Sequence, residues 1–250
     1  MTANTQNDSS VASRYQHLLQ QLRDEALKVG RDPASILLLA VSKTHGVDRI
    51  REAWHAGARD FGENYVQEAL EKITALTPES VSSTALAGPQ ADSLAINWHF
   101  IGPVQSNKTR DIAGAFDWVH SVDRVKIARR LDEQRPDDKA ALNVCVQVNL
   151  SDEDTKSGVS LAETAALCQE ISQMDRLVLR GLMAIPAVSS DYEQQRQTFR
   201  PLKELFDELR TRHATMDTLS IGMSGDFPAA IAEGATIIRI GTALFGQRGS

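Results

Sequence analysis

Three places in this sequence put chemically useful residues in settings that call for a reason. The first is Lys43, which closes the apolar run Ile36, Leu37, Leu38, Leu39, Ala40, Val41, Ser42. Holding an ammonium against apolar walls is costly, and such walls or a neighbouring cation lower a lysine pKa from ~10.4 toward the ~7–8 at which the free amine attacks a carbonyl. Lys43 therefore reads either as a Schiff-base lysine or as one that lays its stem on apolar surface and reaches for water. The second is Ser220, Ile221, Gly222, Met223, Ser224, Gly225, Asp226, Phe227, a strand-like run ending in a loop of small residues that opens a helix near Pro228. Ser224 and Gly225 offer backbone amides, Ser224 adds a hydroxyl, and Gly225 has no side chain to bar an oxygen. The loop suits an anion such as phosphate, or it is a plain helix cap. The third is Arg239 inside Ile237, Ile238, Arg239, Ile240, Gly241, Thr242. By strand alternation Arg239 shares a face with Ile237 and Gly241. If that face lines a barrel, the guanidinium lies beside a ligand, with Gly241 and Thr242 within reach of a phosphate; otherwise it pairs with a buried carboxylate.

These residues need elements to place them. Apolar residues recur at helical spacing over 11–29, ending at Gly30. Strand-like runs then follow at 36–43, 59–62, 98–102, 118–122, 144–150, 177–185, 219–223 and 236–241. Between several of them lie helical stripes at 48–56, 66–76, 124–134, 161–174 and 192–213. The run 36–43 is apolar throughout, as expected of a strand covered on both faces in a parallel sheet. Eight β units alternating with helices predict a single-domain (β/α)8 TIM-like barrel with an extra N-terminal helix, whose reactive side chains stand at the C-terminal ends of strands. Residues 1–10 are expected to be a flexible tail and 11–250 the barrel domain. The stretch 78–95, rich in Ser, Ala, Gly and Pro, reads as a surface loop after the second helix of the barrel.

Composition narrows the function. With 27 basic and 33 acidic side chains the net charge is −6, which argues against nucleic acid or an anionic membrane as partner. Cys145 and Cys168 form no metal or redox motif and are expected to be buried free thiols. The polar start and the lack of a long apolar run predict a cytoplasmic protein.

Five segments together carry a family resemblance: LLAVSKTHGVDRIREAWHAGARDFGENYVQE at 38–68, WHFIGPVQSNK at 98–108, VNLSDEDTKSGV at 148–159, RGLMAIP at 180–186 and LSIGMSGDFPAAIAEGATIIRIGTALFG at 219–246. Covering about half of the chain in order, they make it closely similar to the YggS/PROSC family of pyridoxal 5'-phosphate (PLP) homeostasis proteins. The resemblance implies a fold-type III barrel like the N-terminal domain of alanine racemase, with PLP as a Schiff base on Lys43. It also implies phosphate held around Ser224, Gly225, Gly241 and Thr242, Arg239 near the pyridine nitrogen, and Asn64 and Met223 lining the ring pocket. Pro103–Val104 and the length of the 78–95 stretch depart from the family pattern without touching those positions.

The resemblance further implies a PLP reservoir or carrier for apo forms of PLP-dependent enzymes. Racemases of this fold type are completed by a second domain and a dimer partner that bring a catalytic acid, whereas here residues 246–250 follow the last strand directly, so a monomer without efficient catalysis is expected. The alternatives are an amino-acid racemase using Tyr65, His45 or His99 as acid, or a PLP-free Schiff-base aldolase. Lys108 and Lys156 are either secondary PLP-reactive amines or solvated loop lysines.

Overall fold

The computed structural model of the chain describes residues 10–83, 95–150 and 157–247. Eight strands close a parallel barrel in sequence order: β1 Leu37–Val41, β2 Asp60–Glu63, β3 Asn97–Phe100, β4 Trp118–Val122, β5 Leu142–Gln147, β6 Leu177–Met183, β7 Thr218–Ser220 and β8 Ile237–Ile240. The helices are α1 Val11–Lys28, α2 Val47–His55, α3 Val66–Ser83, α4 Thr109–Ala115, α5 Val125–Gln134, α6 Leu161–Ile171, α7 Tyr192–Arg210, α8 Phe227–Ala232 and α9 Thr242–Phe245. Closure is made by β1 pairing with β8, Leu37 opposite Ile237 through Ala40 opposite Ile240. This is the expected (β/α)8 barrel, with α1 as the extra helix packed over α2, α8 and α9.

Alternation along the strands separates two apolar regions. Leu38, Ala40, Ile238 and Ile240 belong to the large core between sheet and helices, which also takes in Ile50, Phe61, Phe199 and Leu244. Leu39, Val41, Cys145, Met183 and Ile237 are as buried but stand apart from that cluster, on the inward side of the barrel. Arg239 shares their side, so its face is the barrel interior.

Several boundaries differ from expectation. Ser10 is not part of a loose tail: its hydroxyl accepts from the Ser13 amide at 3.0 Å and caps α1, and the Val11 amide donates to Glu52 at 2.7 Å. Residues 1–9 lie outside the described residues. The expected loop at 78–95 begins later, because α3 runs on through Pro78 to Ser83; residues 84–94 lie outside the described residues. Helices α4 and α9, of seven and four residues, are too short for their periodicity to stand out. Among the described residues no helix is long and apolar enough to cross a membrane.

Where β5 and β6 pair, the register shifts between Val144 and Cys145, leaving Arg180 unmatched. The next residue, Gly181, takes φ +157, and a Cβ there would lie 1.7 Å from the Thr218 carbonyl oxygen. Since that neighbour is β7 backbone, it has little room to give. Gly181→Ala is expected to destabilise the fold by about 3 kcal/mol or more, read as a lower urea midpoint at unchanged m-value.

His120, wholly buried in β4, is held well below its ordinary 6.5, first by burial and then by His99 and Arg239. The native state therefore keeps this ring neutral, while below pH 6.5 the unfolded chain takes up the proton. Stability from this group is complete above 6.5 and falls below it by up to about 1.4 kcal/mol per pH unit. Urea unfolding from pH 7.5 down to 5.5 should show this slope reduced in His120→Gln.

Candidate functional site

Lys43 stands half-buried in the turn after β1, two residues beyond Val41 on the inward alternation. Among the described residues its ammonium has no hydrogen-bond or ion-pair partner. The turn around it is held firmly. Thr44 adopts the left-handed φ of 64°, unusual for a β-branched residue, and its amide donates to Glu68 Oε1 at 2.6 Å. On the other side the Ser42 carbonyl accepts from Lys72 Nζ at 2.8 Å, and the Ser42 hydroxyl donates to Glu63 Oε1 at 2.6 Å.

Lys72 ties these groups together. From α3 its buried ammonium donates to Glu63 Oε1 at 2.7 Å and to Glu68 Oε1 at 2.6 Å. Burial pushes the Glu63 carboxyl upward against the pull of Lys72 and Ser42. Glu63, Glu68 and Lys72 thus form a clamp behind Lys43. None of the three was among the expected site residues, although Glu68 and Lys72 sit four apart on a helix, the spacing of an ion pair.

Arg239, 5% exposed, is paired in register with Leu39 of β1. Its Nη1 donates to the Ser220 carbonyl at 2.5 Å and the Ser220 hydroxyl at 2.8 Å, and its Nη2 donates to the Ala184 carbonyl at 2.9 Å. Those contacts fasten it to the C-terminal ends of β7 and β6. A guanidinium has five N–H donors, so two are left over. Burial brings its pKa down to about 10, with Asp226 opposing, and it stays charged at neutrality. No carboxylate makes an ion pair with it among the described residues, so the alternative of a salt bridge inside the barrel does not hold.

The phosphate candidates occupy two neighbouring loops. The Arg239 amide donates to the Gly222 carbonyl at 3.0 Å, which sets the loop after β7 against β8. Asp226 folds that loop by accepting from the Met223 amide at 2.6 Å, and Gln195 on α7 donates to the Gly225 carbonyl at 3.1 Å. Ser224, Gly225 and Thr242 are exposed at the rim, and their backbone amides meet no acceptor among the described residues. A Cβ added to Gly225 would meet nothing within 4 Å, whereas one on Gly241 would lie 3.3 Å from the Val41 carbonyl oxygen. Gly241 therefore lies beside Val41, two residues short of Lys43. Met223 is half-buried at the start of the loop.

Asn64 follows β2. A Cβ on Gly102 would lie 2.2 Å from its carbonyl oxygen, so the two backbones touch, and the Gly102 carbonyl is held by the Ser121 hydroxyl at 2.5 Å. Asn64 Oδ1 is buried with no hydrogen-bond partner among the described residues. An orphan acceptor of this kind is one that a polar ligand would satisfy. Asn64 also borders a recess shared with Tyr65, Phe100, Gln105 and Lys108.

The proposed acids fare differently. His99 lies fully buried within the barrel, Tyr65 is 56% exposed, and His45 stacks on Phe245 at 5.1 Å. Lys156 lies outside the described residues.

Residues 15–249 match the family model described as alanine racemase, N-terminal domain. A protein of Pseudomonas aeruginosa named pyridoxal phosphate homeostasis protein is 50% identical over 96% of this chain and 96% of its own length. One of the same name from Vibrio alginolyticus is 48% identical over 96% of this chain and 98% of its own. Among solved structures, PipY of Synechococcus elongatus with PLP bound is 36% identical and superposes with a TM-score of 0.78 over 95% of this chain and all 100% of that one.

The clamp yields a prediction. Lys72→Met leaves Glu63 buried without its cation and should cost about 3–5 kcal/mol of stability. Adding Glu63→Gln should recover a large part, and a double-mutant cycle by urea unfolding measures the coupling.

Proposed function

The chain belongs to the pyridoxal phosphate homeostasis proteins, within the alanine racemase N-terminal domain family, and from that membership we propose that it binds PLP reversibly as a Schiff base on Lys43 and serves as an intracellular PLP reservoir or carrier. The observation that carries the reading is the pairing at the seam of the barrel. Leu39 lies opposite Arg239 and Val41 beside Gly241, so β1 and β8 bring the Lys43 turn, the Arg239 guanidinium and the loops of Ser224 and Thr242 to one end of the barrel. That end is the C-terminal one, where barrels of this class keep their ligands.

Each residue has a part in this proposal. Lys43 condenses with the aldehyde, releasing water, and so masks it. Exposed amides at Ser224, Gly225 and Thr242, with the hydroxyls of Ser224 and Thr242, take the phosphate, while Gly241 leaves room beside Val41. Arg239 meets the ring nitrogen with a spare donor, and Asn64 and Met223 border the ring. When bound, PLP supplies an electron-withdrawing ring. A guanidinium that keeps its own proton leaves the ring nitrogen largely unprotonated, which weakens that sink.

The carrier reading over the racemase one rests on the candidate acids as well as on Arg239. His99 is engaged inside the barrel, and Tyr65 and His45 have the surroundings of surface and packed residues. The proposed recipients are apo forms of PLP-dependent enzymes, and the proposed state is a monomer. The two thiols are buried, Cys168 being pushed up to about 12 by burial, so both are poor nucleophiles of the kind a reducing cytoplasm keeps free.

The test is a visible absorbance spectrum of the PLP-loaded protein before and after borohydride, with mass mapping of the reduced adduct. The band should vanish in Lys43→Ala and the adduct should map to Lys43. An adduct confined to other lysines would sink the assignment. Exchange of amino-acid α-protons in deuterated water at turnover rates, abolished in Lys43→Ala, would instead establish an enzyme.

Gly225 separates ligand from scaffold. Because a methyl there meets no protein atom within 4 Å, Gly225→Ala should stay within about 0.5 kcal/mol of the parent stability. PLP affinity, followed by absorbance titration, should fall roughly tenfold, the equivalent of one lost contact.

A further inference from the structure

A line of polar contacts crosses the barrel interior beneath the proposed PLP site. His99 on β3 and His120 on β4 are fully buried, and His99 Nδ1 lies 2.9 Å from His120 Nε2. The other nitrogen of His99 lies 3.1 Å from Asp60 Oδ1, on the first residue of β2. The other nitrogen of His120 lies 2.9 Å from Ser220 Oγ, on the last residue of β7, and that oxygen accepts from Arg239 at 2.8 Å. The chain thus climbs from the floor of the barrel to its mouth.

The carboxylate end fixes its direction. A carboxylate only accepts and a guanidinium only donates, while each neutral imidazole has one nitrogen of each kind. With both rings neutral, His99 donates from Nε2 to Asp60, which leaves Nδ1 to accept from His120 Nε2. His120 Nδ1 then accepts the Ser220 hydroxyl hydrogen, and the Ser220 oxygen accepts from Arg239. Every contact is satisfied once. The reverse order would need a donor on Asp60, which a carboxylate lacks, and would make Ser220 Oγ accept from both His120 and Arg239 with its own hydrogen turned away from His120.

The floor holds this end in place. Asn97 Nδ2 donates to the same oxygen of Asp60 at 3.0 Å. The Trp118 ring stacks on His99 at 5.3 Å and 8°, and Arg180, bonded to Asp217, covers Trp118 at 4.7 Å. Asp60 is only 14% exposed on its side chain.

We propose that Asp60 is a positioning residue for the Arg239 site: it sets the tautomers of His99 and His120, so that His120 takes the Ser220 hydroxyl hydrogen and leaves the lone pairs of that oxygen to Arg239 without a competing donor. A carboxylate that orients an imidazole through one nitrogen to fix the role of the other is a known device, here extended over two rings. Only the effect on ligand affinity rests on the PLP reading; the chain of tautomers belongs to the protein alone.

The experiment is ¹⁵N NMR of histidine-labelled protein without PLP, in the parent and in Asp60→Asn, followed by absorbance titration with PLP. The parent should carry the hydrogen on Nε2 in both His99 and His120. In Asp60→Asn the amide can turn its NH₂ toward His99, and His120 should move its hydrogen to Nδ1, with PLP affinity reduced roughly tenfold. A parent with His120 protonated on Nδ1 overturns the proposal, as do unchanged tautomers in Asp60→Asn, or reversed tautomers with unchanged affinity.

Ser220→Ala provides the control from the other end, and stands in should Asp60→Asn fail to fold. It should lower affinity to a similar extent while His99 and His120 keep their hydrogens on Nε2, because Asp60 still orients them. Reversal in Ser220→Ala would place the control at Ser220 and overturn the proposal. A parent protein that fails to form the Lys43 adduct removes the PLP reading and leaves the tautomer result standing.

Discussion

A guanidinium cannot sit unpaired inside a barrel, and much of this structure follows from Arg239. Burying that charge is tolerable only if its donors find fixed acceptors. It finds them in the carbonyls of Ser220 and Ala184 and the hydroxyl of Ser220. Those acceptors lie where β7 and β6 end, so satisfying the charge also fixes the loop after β7 and the path of the chain after β6. Asp226, folding the same loop onto the Met223 amide, lies near enough to favour the charged guanidinium.

The mouth of the barrel solves a second problem. On the proposed reading Lys43 reacts, and a lysine that is to react must be neither buried in an ion pair nor left on a loose turn. The clamp supplies cations and anions to the backbone on either side of Lys43 and none to its amine. Glu68 holds the Thr44 amide in a left-handed turn, and Lys72 holds the Ser42 carbonyl. The strain at Thr44 is borne by α3, a helix outside the barrel, so that the amine itself stays available.

Much of this was legible in the sequence, and the limits have physical causes. Continuous apolar strands announced a parallel barrel, and the register of Leu39 with Arg239 then followed from closure. Lys43 and Arg239 stood out because a charge beside an apolar run needs an explanation. The clamp did not, since Glu63 and Lys72 look like ordinary surface charges until β2 and α3 bring them together in the interior. His99 was weighed as an acid near a strand end, yet its ring is one link in a buried chain. Pairing between β3 and β4, which no local pattern encodes, decides that. The missed helices α4 and α9 are too short to show a period, and α3 continues past Pro78 because a neighbourhood rich in small polar residues does not by itself stop a helix.

Buried and exposed contacts divide the labour in a way that suits binding and release. Arg239, the histidines and the clamp are inside, ordered before any ligand arrives, and so add little ordering cost to binding. Ser224, Gly225 and Thr242 are at the rim, where water can replace the proposed phosphate without disturbing the interior. On the proposed reading, affinity comes from the rim contacts together with a hydrolysable bond to Lys43, and orientation comes from the interior. An efficient carbanion catalyst would need the opposite emphasis, with a proton on the ring nitrogen and an acid held against the substrate. On the proposed reading Arg239 withholds the first, and of the side chains weighed for the second His99 is engaged inside the barrel and His45 is stacked on Phe245.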